Sequence, residues 1–521
     1  MRNRIILSWI FILLLISSAA YSQSLDRAHR SYDPETVTVT RWLDPSTRPM
    51  TYEEYIQGKE FDDTQKVDLV YSSLIATDYY IDIIVNEDLY PLIEEALDTF
   101  MLDLQGEGYT INLYTANETL SPEGLREVFI NDWLGQGLDG TILVGDLAVP
   151  WYEMDEPEGW GGAHVQFPCD LYFMDLNGFW DDSDEDGMFD AHSGRLEADI
   201  WVGRLYASSM SDYGANEVQL LRNYFQKNHN FRTGELLMDD KALAFVDNDW
   251  NMYGWGYDVA MAYPATDSVI DIFETSRGTY IDRLQEVSEN RYEHVLICSH
   301  SSAFAHYLYY NHNNYQLFHN YEVESFMMQA LTYNLFACSN ARFVETDNMG
   351  GWYVFQSEYG LLSLGATKTG SMLCFDDYYA PLGEGATHGD AFLEWARINM
   401  ETCAGADSRA WFYGMCLQGD PTIMLARFHN PVGGCEYVMG DFNGSGVFNI
   451  ADIIVAFSKL KTGDPEPLLL CECPPGSGDE WAVAMDVNNT CGFNIADIIT
   501  AFSNLKTGAP DFVPCEDCPP M

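Results

Sequence analysis

HVLICSHS (294–301) and LTYNLFACSN (331–340) share one design: an apolar run, then small polar residues and a reactive side chain. The first run delivers His300 and the second Cys338. Short apolar runs closed by Ser, Asn or Asp read as strands. ALAFVDND (242–249), VIDIFET (269–275) and GLLSLGATKTG (360–370) have the same form, with segments such as TYIDRLQEVSEN (279–290) between them. A similar series lies upstream. YYIDIIV (79–85) and YTINLYTA (109–116) read as strands, and DGTILVGDL (139–147) as a buried one. PLIEEALDTFMLDLQGEG (91–108) and PEGLREVFINDWLGQG (122–137) read as helices. Strands alternating with helices predict a parallel sheet covered on both faces. The expected fold class is α/β, with two doubly wound parallel-sheet subdomains at 66–235 and 236–428. A polar arm or pro-segment (23–65) precedes them and a small α-helical module (429–521) follows.

Ligands of such sheets bind outside the carboxyl ends of the strands. His300 falls just past VLIC and Cys338 just past LTYNLFA, so one rim carries both. A cysteine attacks as its thiolate, and a nearby imidazole takes the proton. A third group commonly orients the imidazole; Asp249, at the end of ALAFVDND, is the first choice and Asp247 the second. No Walker loop, GxSxG elbow or HExxH helix occurs, which disfavours nucleotide-driven chemistry, the common serine hydrolases and zincins. His306, His312 and His319 are spaced unlike any zinc signature.

Near the C-terminus, FNIADIIVAFSKLKTG (448–463) returns almost unchanged as FNIADIITAFSNLKTG (493–508). Each copy continues a run of oxygen-bearing residues at calcium-loop spacing. The first set is Asp441, Asn443, Ser445, the Val447 carbonyl, Asn449 and Asp452; the second is Asp486, Asn488, Thr490, the Gly492 carbonyl, Asn494 and Asp497. The apolar residues after each loop recur at helical spacing: Ile450, Ile453, Ile454, Phe457 and Leu460, then Ile495, Ile498, Ile499, Phe502 and Leu505. These stripes are expected to pack on each other. A third candidate loop comprises Asp182, Asp184, Asp186, the Met188 carbonyl and Asp190, in a stretch expected between the two α/β units. Ser193 stands where its closing carboxylate belongs. The cofactor expected is calcium.

MRNR, then IILSWIFILLLI, then SSAAYSQ reads as a secretory signal peptide over 1–22. No later stretch is long and apolar enough for a membrane span, so a secreted or cell-surface protein is expected. Six of the twelve cysteines lie before residue 429, leaving room for a functional thiol. Cys435, Cys471, Cys473, Cys491, Cys515 and Cys518 lie beyond it and read as disulfide staples. A net charge of −54, from 80 acidic and 26 basic residues, repels nucleic acid and anionic membrane.

SHSS around His300 and NLFACSNARF around Cys338 carry a resemblance, together with GLLSLGATKTG, GDPTIML (419–425), LEADIWVGRL (196–205) and DLYFMDLNGFWDDSDEDGMFD (170–190). Over 66–428 the chain resembles the gingipain-like cysteine peptidases, which have a caspase-like fold. The resemblance implies that Cys338 attacks the scissile carbonyl of protein or peptide substrates and that His300 handles protons. Backbone N–H groups at Cys338 and just after His300 would form the oxyanion hole. The family usually has Gly after that histidine, where this chain has Ser301. The duplicated module resembles a type I dockerin, implying a cohesin-type partner. It departs from that family in the 45-residue offset of its repeats and in the insert CECPPGSGDE (471–480). The function expected is a secreted cysteine endopeptidase scaffolded by its dockerin-like module. The alternative is a catalytically silent caspase-like adhesion or assembly protein, to which Ser301 points.

Overall fold

The computed structural model describes residues 32–428 apart from 63–66, 74–78, 211–215, 237, 264–268, 273–275, 286–290 and 311–313. Beyond 428 it describes 438–443, 448–462, 471–472, 480–481, 483–488, 490, 492–507, 509 and 512–513. The expected signal peptide lies outside the described residues. No helix among the described residues is long and apolar enough to cross a membrane.

The chain is mixed α/β around a large, mostly parallel sheet. Its strands are β1 (Asp68–Ser72), β2 (Tyr79–Asn86), β3 (Tyr109–Ala116), β4 (Gly140–Val144), β5 (Trp201–Leu205) and β6 (Ala242–Val246). They continue with β7 (Val269–Ile272), β8 (Tyr292–Cys298), β9 (Ala330–Phe336), β10 (Leu362–Ala366) and β11 (Met415–Gly419). The order across the sheet is β1-β3-β2-β4-β5-β11-β10-β9-β8-β6-β7. Only β1/β3 and β10/β11 are antiparallel.

Where two sheets are expected from the sequence, the structure has one. β11 joins the halves by pairing in parallel with β5 (Leu417 with Gly203) and antiparallel with β10 (Leu364 with Leu417). The two series therefore run in opposite directions on either side of the β10/β11 seam. The largest apolar core among the described residues spans both series, containing Ile83 and Phe129 of the first and Leu296 and Leu335 of the second.

Local signals explain the helices that cover the sheet. In α1 (Tyr90–Gly106), Ile93, Leu97, Phe100 and Leu104 recur at helical spacing and are buried. Ser121 caps α2 (Pro122–Gln136) by accepting the Gly124 N–H at 3.2 Å, and Gly137 ends it at φ 79°. In α3 (Glu217–Arg232), Phe225 meets Phe100 of α1 with ring centroids 5.2 Å apart. Gly140 of β4 lies under the Trp201 ring, where an added Cβ would approach within 2.1 Å.

Two buried ion pairs tie connections to the sheet. Arg204 of β5 makes a bidentate contact with Asp170, 2.7 Å on both arms, and both side chains are shut from solvent. Arg232 of α3 holds Asp420, just past β11, at 2.5 Å and also pairs with Glu107 beyond α1. Cys374 and Cys403 form a disulfide, while Cys169, Cys298, Cys338 and Cys416 are buried thiols.

The two C-terminal helices, α4 (Ile450–Thr462) and α5 (Ile495–Thr507), correct the expected packing of their stripes. Only Ile453, Ala456, Ile498 and Ala501 are buried on those faces. Ile450, Ile454, Phe457 and Leu460 are exposed, as are Ile495, Ile499, Phe502 and Leu505. Alanines at 456 and 501 let the helices meet along a narrow seam, so the wide apolar stripe is turned partly outward. The pairing of the six C-terminal cysteines lies outside the described residues.

Removing one partner of a buried ion pair strands the other charge in a dry site. Arg204→Ala is expected to lower the unfolding free energy by about 3–5 kcal/mol, read from urea denaturation followed by tryptophan fluorescence. Arg204→Met combined with Asp170→Leu should recover most of that loss.

Candidate active site

Four neighbouring strands end on the site's rim. β10 is followed by Thr369, β9 by Cys338, β8 by His300 and β6 by Asp249. β8 and β9 are direct neighbours, with Cys298 opposite Phe336, and β6 flanks β8, with Val246 opposite Cys298. Each reactive side chain lies two or three residues beyond its strand, so the parallel register itself gathers them.

Asp249 is the carboxylate that reaches the imidazole: its Oδ2 lies 3.1 Å from His300 Nε2. Asp247 is buried and instead braces the turn, accepting the Asp249 N–H at 2.9 Å. Burial pushes the Asp247 carboxyl well above the usual range. The Trp250 ring covers the imidazole with centroids 4.7 Å apart, and Tyr309 meets it edge-on at 5.6 Å. His300 Nδ1 accepts the Arg41 N–H at 3.0 Å. With Nδ1 an acceptor, the neutral ring carries its proton on Nε2, directed at Asp249.

Cys338 is 1% exposed. Its Sγ lies 3.5 Å from Ser339 Oγ and 3.7 Å from Thr369 Oγ1. Burial raises the thiol pKa, and Glu156 raises it further; those two hydroxyl contacts and the Lys368 ammonium pull it down. Lys368 is itself lowered to about 8 by burial. Ser339, next to the thiol, has φ 57°, a left-handed conformation that a non-glycine residue adopts at a cost. The contacts of Cys338 go to Ser339 and Thr369 and those of His300 to Arg41 and Asp249, so thiol and imidazole share a rim without a direct hydrogen bond.

Ser301 stitches the two loops together. Its hydroxyl donates to the Cys338 carbonyl at 2.6 Å, and Asn340 Nδ2 donates to the Ser302 carbonyl at 2.5 Å. A cavity of ≈ 380 Å³ opens beside the thiol. Its walls include Gln166, Ser339, Lys368 and Thr369 and, from the N-terminal arm, Trp42 and Met50.

Sequence reasoning missed three contributors here. Thr369 obeys the strand-end rule that found Cys338 and His300, applied to GLLSLGATKTG. Trp250 adjoins Asp249 and carries no further signal. The arm announces itself through the alternation in TVTVTRWL (36–43), an edge-strand pattern in which Val37 and Val39 are buried. Of the histidines with unconvincing zinc spacing, His306 is buried between Ser299 Oγ (3.1 Å) and the Tyr353 hydroxyl (3.0 Å), both ring nitrogens engaged. His312 lies outside the described residues.

The acidic loops divide by what is described. Asp182, Asp184 and Asp186 converge, and Asp184 and Asp190 converge with Glu153, a residue of the strand Trp151–Asp155. Glu153 brings a carboxylate to the cluster from outside the loop, and only the fold reveals it. The loop belongs to a hairpin (Phe179–Asp181 with Ala191–Ser193) ahead of β5, within the first strand series and not between the two. Asp182 accepts N–H groups from Asp186 and Gly187, and Asp186 accepts from Met188. Burial first, then Asp186, Asp190 and Asp182, raise the Asp184 carboxyl.

In the duplicated module Asp452 and Asp497 are buried at the closing position and fold each loop inward. Asp452 accepts from the Asn443 and Asn449 N–H groups, and Asp497 from those of Val487 and Asn494. Asp441 and Asp486 are also buried, and Thr490 contacts Asp486 and the Gly492 carbonyl. Burial and the Asp486 charge raise the Asp497 carboxyl. Asn488 Oδ1 is enclosed with no hydrogen-bond partner, as an oxygen reserved for a cation would be. Ser445 and Val447 lie outside the described residues. The donors present are all oxygens, which fits a hard cation.

Comparison with protein-family models and with curated protein sequences finds no match, so residues and geometry carry the functional reading.

Proposed function

We propose that this chain is an exported cysteine endopeptidase of gingipain-like type, with Cys338 as nucleophile and His300 as its acid–base partner. One observation carries the reading: Cys338, His300 and Asp249 follow three adjacent parallel strands, and Asp249 holds the imidazole at 3.1 Å. A buried core thiol needs no such company. The likeness of SHSS and NLFACSNARF to gingipain-like sequences, and the caspase-like fold it implies, point the same way.

The chemistry is acyl transfer. His300 takes the thiol proton, and the thiolate attacks the scissile carbonyl, forming a carbon–sulfur bond. The imidazolium, held by Asp249, gives its proton to the departing amine as the carbon–nitrogen bond breaks. Water then cleaves the thioester, releasing the acid and restoring the thiol. N–H groups at Cys338 and Ser301 would bind the oxyanion.

The acidic loops are read as calcium sites that hold the module and the hairpin in shape, with Glu153 joining the Asp182–Asp190 cluster. The exposed stripes of α4 and α5 suit a cohesin-type partner, consistent with the dockerin-like repeats. The second reading, a silent assembly protein, draws on the enclosed thiol and on the Ser301 bond to the Cys338 carbonyl.

Cys338→Ala is expected to abolish cleavage of a peptide library by the purified protein, and His300→Ala to lower kcat by about 10²–10⁴-fold. Asp249→Asn should lower kcat while leaving KM nearly unchanged. Full-rate cleavage by Cys338→Ala would end the peptidase reading.

Calcium binding only to the folded module stabilises it by mass action. Chelation with EGTA should lower the module's melting midpoint, and calcium should restore it, in scanning calorimetry of the full chain. At 100 times its Kd the ion contributes about 2.7 kcal/mol. Asp486→Ala combined with Asp441→Ala should erase the calcium dependence.

A further inference from the structure

The polar arm upstream of the sheet lies across the candidate active site. Val37, Val39 and Thr40 are buried against the body. Trp250, which covers the imidazole, donates its indole N–H to the Thr38 carbonyl at 2.7 Å. Thr40 Oγ1 donates to the Gly370 carbonyl at 3.3 Å, beside Thr369. Farther along, the Met50 N–H meets Glu345 at 2.6 Å, and Arg342 Nη2 donates to the Met50 carbonyl at 2.7 Å.

Between these anchors the arm forms a β-bridge to the small sheet that carries His300. That sheet is formed by His300–Ser302, Ala305–Tyr309 and Tyr315–His319, and Trp42 pairs with Ser301 in parallel at its open edge. The Ser301 N–H donates to the Arg41 carbonyl at 3.2 Å, and the Leu43 N–H donates to the Ser301 carbonyl at 3.0 Å. The Arg41 N–H donates to His300 Nδ1 at 3.0 Å. Trp42 packs edge-on against Phe304 at 6.1 Å and, with Arg48, Pro49, Met50 and Thr51, walls the cavity at Cys338.

An extended peptide binds a sheet edge through main-chain hydrogen bonds. Here the edge beside His300 is already filled by Arg41–Leu43. The imidazole nitrogen not held by Asp249 must accept a proton in catalysis, yet it is engaged by an N–H. The Ser301 N–H, a proposed oxyanion donor, already has a carbonyl partner. Three functions that a substrate needs are thus occupied by Arg41–Leu43 of the same chain.

We propose that Thr38–Leu43 is an autoinhibitory strap in the substrate's strand position, slowing access to Cys338 until the strap is displaced. This regulation rests on the peptidase reading of the site, but its physical content is access to the thiol. Access is measurable without any substrate.

The test uses the full-length protein and the alkylation rate of Cys338 by iodoacetamide, with Cys338→Ala identifying the labelled residue. Arg41→Pro removes the N–H held by His300, and Leu43→Pro removes the one held by Ser301. Each lost hydrogen bond should speed labelling about five- to ten-fold over wild type. As a third route, a site-specific protease sequence inserted in the exposed 44–48 turn should speed labelling once cut. Circular dichroism and melting midpoints establish that each variant is folded. Unchanged labelling in folded variants and after the cut overturns the strap, whatever the peptide assay gives. Faster labelling together with faster peptide cleavage upholds both readings. Faster labelling without cleavage upholds the strap as a gate on the thiol and counts against the peptidase.

Discussion

Residues 415–419 pair in parallel with β5 on one side and antiparallel with β10 on the other, and within the main sheet that strand joins the two halves of the molecule. Because β11 reverses against β10, the strand ends carrying Asp249, His300, Cys338 and Thr369 lie on one rim, and the carboxyl ends of β2–β5 lie on the opposite one. The candidate site therefore sits on the rim of the second series, with Gln166 reaching its cavity from the first half. Asp420, immediately past β11, is clamped by Arg232, so the strand that makes the seam is also held from the helix layer.

Within that frame the site shows an opposition between burial and reactivity. The thiol is enclosed, which favours its neutral form, while Ser339, Thr369 and Lys368 favour the thiolate. Lys368 is itself enclosed and bonds the Thr369 and Ala410 carbonyls, so its charge is fixed in place and weakened at once. Asp249, the most open member of the set with 24% of its side chain exposed, is the one that must stay ionised to hold an imidazolium. Asp247 is dry and its carboxyl is pushed up, so it is suited to bracing a turn and unsuited to that task.

Those parts of the architecture with a strong period were legible in the sequence. β2, β3, β4, β6, β8, β9 and β10 are apolar runs of five to eight residues, and register follows from their being parallel neighbours. β5 and β11 escaped because each carries Gly with Arg or Gln, residues that argue against a buried strand until Asp170 and Ala341 are seen to satisfy them. The same limit applies to Glu153, which is far in sequence from the loop it meets. The apolar stripes of the repeats were visible, but which positions face inward was decided by the alanines at 456 and 501, too small to register in a hydrophobic pattern.

The serine after His300 shows how one substitution acquires meaning only in its surroundings. Read from the sequence, a side chain at 301 narrows the approach of a carbonyl. In the fold the hydroxyl is turned away and bonded to the Cys338 main chain, so what it contributes is a cross-link between the two reactive loops. A glycine there would remove that cross-link and leave the Asn340 bond to the Ser302 carbonyl to tie the two loops, with no direct hydrogen bond between thiol and imidazole. The serine thus makes the spacing of the pair a property of the backbone. On the peptidase reading proposed above, a peptide entering along Ser301 would have only to replace the arm's main-chain bonds, without rebuilding the geometry beneath them.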